Sequence, residues 1–101
     1  MTLNTNITSS ARRLFPNLTP EQAMMELLLE RAQKNLIKYE TIARQFQAKY
    51  GIVFESFRKK VVAGKVSADD EQDYFDWELA VTGIDDMQAE IKRLKALSQK
   101  A

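Results

Sequence analysis

Eight apolar positions, Met25, Leu29, Ala32, Leu36, Tyr39, Ala43, Phe46 and Tyr50, follow one another at steps of 4, 3, 4, 3, 4, 3 and 4. That alternation keeps one seam of an α-helix turned toward a partner helix, and no strand produces it. Both ends of the helix are marked locally. Thr19 is placed as N-cap, Pro20 at the first helical position and Gln22 to return the capping-box bond, while Gly51 offers the left-handed C-cap and Ile52 can pack back on the last turn. A helix of about 30 residues, roughly 45 Å long, is expected over 20–50. One seam on so long a rod cannot be buried by the rod itself.

The second rod is expected after Ser67, a cap with Asp70 three residues on and further acids where negative charge suits the helix dipole. Its seam reads Tyr74, Trp77, Val81, Ile84, Met87, Ile91 and Leu94, with a skip between Ile84 and Met87 beside Gly83. Gly83 reads as an exposed interior glycine, which would gain about 0.5–1 kcal/mol on replacement by Ala. Between the rods, Phe54 to Ala63 reads as a short helix stopped by Gly64, with Val53 a poor N-cap. The expected fold is therefore all-α: a long antiparallel helical hairpin (about 20–50 and 68–97) with a short middle helix (about 54–63), three helices in one domain over 18–101. Residues 1–17, rich in Ser, Thr and Asn, are expected to form a flexible arm with at most a helical turn at Ser10 to Phe15, and Ser98 to Ala101 to fray.

Charge is sorted along the chain. Asp69, Asp70, Glu71, Asp73, Asp76, Glu78, Asp85, Asp86 and Glu90 occur with no Lys or Arg between Ser67 and Glu90, although the net charge is only +1. Residues 1–66 carry eleven basic and five acidic side chains, and residues 91–101 four more basic ones. An antiparallel pairing brings Glu26 and Glu30 toward Lys92, Arg93 and Lys95, and Arg44 and Lys49 toward Asp73 and Asp76. Exposed pairs of this kind are worth about 0–1 kcal/mol each and orient the hairpin more than they stabilise it.

The 101 residues include no Cys and no His. That excludes disulfides, thiolate chemistry and the commonest general base and metal ligand. No run approaches the ~18 apolar residues of a membrane span and no charged-then-apolar leader is seen, so a cytoplasmic protein without cofactor is expected.

Several apolar side chains remain once the seams are turned inward. Met24, Leu27 and Leu28 make the start of the first long helix apolar on nearly every face, to be covered by the short helix, by the arm or by a second copy in a homodimer. Phe75 and Leu79 lie off the second seam among Asp76, Glu78 and Asp86; they are either covered by the short helix or form an apolar anchor in an acidic field, suited to a basic partner protein. Arg58, Lys59, Lys60 and Lys65 are read as a solvated face, and nucleic acid is disfavoured as a partner. A magnesium-dependent all-α nucleotide hydrolase would need facing carboxylates, with Glu26, Glu30, Asp73 and Asp76 as the nearest candidates, but they do not form a repeated paired pattern.

The run Tyr50-Gly51-Ile52-Val53-Phe54-Glu55-Ser56-Phe57, followed after a short basic helix by Asp73-Tyr74-Phe75-Asp76-Trp77-Glu78-Leu79-Ala80, resembles a group of small prokaryotic helical proteins of the antitoxin-like type, members of toxin–antitoxin pairs. The resemblance covers about residues 30–95 and implies binding and silencing of a partner protein, with no turnover. The expectation is a non-catalytic protein-binding module whose contact set is Phe75, Asp76, Leu79 and Asp86, against two alternatives: a self-associating scaffold joined through Met24, Leu27 and Leu28, and the magnesium-dependent hydrolase.

Overall fold

The computed structural model describes residues 4–99 and places them in four helices, α1 (Thr5–Leu14), α2 (Pro20–Tyr50), α3 (Phe54–Val62) and α4 (Ala68–Gln99), with no strand among them. The chain is all-α. The first three residues of the expected arm, and Lys100 and Ala101 of the expected frayed end, lie outside the described residues.

Helix ends follow their local chemistry. Thr19 Oγ1 accepts the Gln22 N–H at 3.1 Å while Gln22 Oε1 accepts the Thr19 N–H at 2.9 Å, closing the capping box. Gly51 takes φ 67° and donates its N–H to the Gln47 carbonyl at 2.8 Å, so α2 stops where only a residue without Cβ turns cheaply. Ser67 Oγ accepts the Asp70 N–H at 3.1 Å at the head of α4. Val53 gives α3 no side-chain cap.

α2 and α4 touch in reversed order along their lengths. Lys49 and Tyr50 reach Asp73, Phe46 stacks on Trp77 at 5.8 Å between ring centroids, Tyr39 lies on Gly83, and Leu36 shares a groove with Ile91 and Lys92. The molecule measures 57 × 26 × 22 Å. α3 packs on α4 at one end of this long pair, and α1 packs on α2 at the other.

Two readings of the sequence are corrected here. Four helices form rather than three, because residues 5–14 make a full helix where at most a turn was expected. Asn4 caps it, its Oδ1 accepting the Asn6 N–H at 2.7 Å, and Ile7, Ala11 and Phe15 share an apolar groove of about 160 Å³ with Ala23 and Met24 of α2. No residue of α1 is buried, so the Asn4 cap and the partial cover of Ala11 and Phe15 beside α2 are what offset the weak helix propensity of Ser, Thr and Asn. α4 also continues to Gln99, two residues past its expected end.

The second correction concerns the seam of α4. Ala80 is 1% exposed, whereas Val81 is only half-buried. The inward line is therefore Asp73, Trp77, Ala80, Ile84, Met87, Ile91 and Leu94, at unbroken steps of 4, 3, 4, 3, 4 and 3. No residue is skipped. Tyr74 and Val81, each one position later than a seam residue, turn instead to the side where α3 lies and join Phe57 and Trp77 in the core. Gly83 is buried, not exposed: a Cβ built there would meet the Tyr39 ring at 2.6 Å.

The core is aromatic and concentrated at the α3 end. Trp77 and Phe57 are the most deeply buried large side chains, with Phe46, Tyr50, Phe54 and Tyr74 around them at centroid distances of 4.3–6.4 Å. Offset and edge-on arrangements of this kind add about 0.5–1.5 kcal/mol per pair beyond their burial. Toward the other end the buried residues are Ala23, Ala32 and Leu94.

Candidate protein-binding face on α4

The most chemically specific cluster sits where α2 meets α4. The Tyr50 hydroxyl lies 2.5 Å from Asp73 Oδ2 and 3.0 Å from Asp70 Oδ1, and Lys49 Nζ lies 2.5 Å from the same Asp73 oxygen. A phenol has one proton, which it donates to Asp73; Asp70 takes the longer arm of a fork. Lys49 and Tyr50 hold the Asp73 carboxyl below its usual range, in that order of importance. Burial, then the bonds to the two carboxylates, pushes the Tyr50 phenol upward. The sequence anticipated Lys49 near Asp73 but missed Tyr50. The signal available was a tyrosine at the end of a seam, whose hydroxyl must find a partner when its ring is buried.

The cluster ties the C-terminal end of α2 to the first turns of α4. Among the described residues no three His, Cys, Asp or Glu side chains converge as metal ligands, and the expected carboxylates Glu26, Glu30 and Asp76 do not join Asp73. Lys49–Asp73 is also the only ion pair between helices among those residues. Glu30 pairs with Lys34 on its own helix at 3.0 Å, Arg93 with Glu90 at 2.6 Å, and Arg44 bonds Thr41. The expected pairing of Glu26 and Glu30 with Lys92, Arg93 and Lys95 does not form. On long exposed side chains, a neighbour one turn away is reached at less entropic cost than one across the seam.

The four residues read as a contact set all remain on the surface. Phe75 is 48% and Leu79 69% exposed, and Asp76 and Asp86 are exposed. Phe75, Leu79 and Asp86 share one stripe because their spacings of four and seven residues return to nearly the same azimuth. α3 does not cover them: its rings lie on Tyr74, and Phe75 keeps only an edge-on contact with Tyr74 at 5.6 Å. Asp76 accepts a bond from Gln72 at 3.2 Å, and neither Asp76 nor Asp86 has a cation within ion-pair distance among the described residues. Glu78, by contrast, is engaged, accepting the Tyr74 hydroxyl at 2.7 Å.

Met24, Leu27 and Leu28 are divided by α1. Met24 and Leu27 line the groove that α1 forms with α2, although Leu27 and Leu28 remain nearly half exposed. Arg58 pairs with Glu55 at 3.1 Å, while Lys59, Lys60 and Lys65 are exposed. No helix among the described residues is long and apolar enough to cross a membrane. Comparison with protein-family models, with curated proteins and with solved structures gives no match.

Proposed function

We propose that this protein is a non-catalytic module of the antitoxin-like type, binding a basic partner protein stoichiometrically through the outer face of α4. The reading is carried by one observation: Phe75 and Leu79 stand open to water beside Asp76 and Asp86, which have no cationic partner among the described residues. An exposed aromatic beside an aliphatic side chain supplies an anchor to bury, and the acidic field steers a basic surface toward it. The resemblance of the 50–57 and 73–80 runs to antitoxin-like proteins points the same way.

Affinity capture from cells of the source organism, followed by variants, tests it. Phe75→Ala and Asp76→Lys are expected to weaken capture at least tenfold, about 1.4 kcal/mol, with the thermal midpoint nearly unchanged. Trp77→Ala is expected to do the reverse, losing about 3–5 kcal/mol of stability as a buried aromatic does. If Phe75→Ala unfolds the protein to a similar degree, the residue belongs to the core and the proposed surface is lost.

A second reading, self-association, is favoured by the half-exposed Leu27 and Leu28.

A further inference from the structure

In an antiparallel helix pair, the residues immediately preceding the seam on both helices emerge on one side, and those immediately following it on the other. α3 occupies the following side, on Tyr74 and Val81. Apart from Gly83, buried under Tyr39, the preceding side of α4 is covered by no other helix among the described residues. On α2 the preceding side presents Leu28, Arg31, Asn35, Lys38, Ile42, Gln45 and Lys49; on α4 it presents Asp76, Leu79, Gly83, Asp86, Glu90, Arg93 and Leu97, both sets falling in the same alternation of three and four as the seams. α1 reaches only Met24 along this side.

The two halves of this face complement each other. Arg31 and Lys38 have no acidic partner within the chain, and Asp76 and Asp86 no basic one, among the described residues, while Glu90 is already paired with Arg93. We infer that a second copy of the chain covers this face, related by a half-turn about an axis parallel to the long helices, so that α2 of each copy lies on α4 of the other. This inference goes beyond the proposed function: it uses Asp76, Leu79 and Asp86 of the same face for self-pairing, so that a partner protein would compete with the second copy for them.

In the register that seats Tyr39 on Gly83 and Phe46 on Trp77, Lys38 comes level with Asp86 of the second copy, Ile42 with Leu79 and Leu28 with Leu97. Leu79, Leu97 and Leu28, exposed at 69%, 50% and 46%, are thereby drawn into contact between basic and acidic borders. A half-turn about the axis perpendicular to the helices would lay α4 on α4, acid against acid. Charge therefore selects the first arrangement, an isologous pairing in which every contact occurs twice.

Sedimentation equilibrium on the whole chain tests this directly. A dimer is expected to grow with concentration and to weaken as salt rises and screens the paired charges. Lys38→Glu alone and Asp86→Lys alone are each expected to weaken pairing about tenfold or more. An equal mixture of the two variants should pair again, because each copy then offers the charge that the other needs. A mass that stays at one chain at every concentration overturns the inference, as does a dimer indifferent to both substitutions or a mixture no better than its components. A monomer that still captures a basic partner through Phe75 removes this pairing and leaves the proposed function standing; a dimer that captures no partner does the opposite.

Discussion

Gly83 and Tyr39 are held together by the absence of a single carbon. The ring carbons of Tyr39 lie 2.6–2.7 Å from where a Cβ on residue 83 would sit, including the ring atom nearest the tyrosine's own Cβ. Rotating the ring does not clear it. Gly83→Ala is therefore expected to destabilise by about 1–3 kcal/mol, the usual penalty for overpacking, despite the helix propensity that Ala gains. Chemical denaturation would show it as a lower midpoint at unchanged slope. In the Tyr39→Ala background the same substitution should cost much less or become favourable, since the obstructing ring is gone.

At the scale of elements, the junction of α2 and α4 carries the pH dependence. Asp73 is held below its ordinary value when folded, so its contribution is present above about pH 4 and is lost as pH falls through the depressed value. Tyr50 and Lys49 are raised, so theirs is present below about pH 10 and is lost as pH rises through the folded values. Tyr74, raised by its bond to Glu78, adds to the alkaline limb. The thermal midpoint should therefore stay level across neutrality and fall on both sides. Asp73→Asn is expected to flatten the acid fall, and Tyr50→Phe to flatten the alkaline one while removing a hydrogen bond worth about 1 kcal/mol. Acid and alkaline limbs unchanged by these substitutions would show that other groups govern the titration.

Over the whole molecule, stability is unevenly distributed. The aromatic rings sit at the α3 end, whereas the far end is joined by Ala23, Ala32 and Leu94 with α1 laid against it. Native-state hydrogen exchange in dilute solution is expected to protect amides around Phe46 to Tyr50 and Tyr74 to Val81 most strongly, and those of α1 and the last turns of α4 least. Equal protection from end to end would contradict the uneven core.

What could be read from residues alone was whatever depends on neighbours in sequence. Thr19 with Gln22, Gly51 and Ser67 set helix ends through bonds spanning three or four residues, and the 25–50 alternation defined an inward line without reference to any partner. The exposed set of Phe75, Asp76, Leu79 and Asp86 was legible as candidates, but not as exposed: the short helix could have packed on that stripe equally well by composition. Only tertiary structure decided that α3 sits on Tyr74 and Val81, that Ala80 rather than Val81 faces α2, and that α1 forms by leaning on Ala23 and Met24. Each of these turns on which side of a helix another element approaches. That direction is a property of the assembled layers, and a small residue such as Ala80 or Gly83 contributes to it through how closely it lets a neighbour come, which hydrophobicity along a sequence does not register.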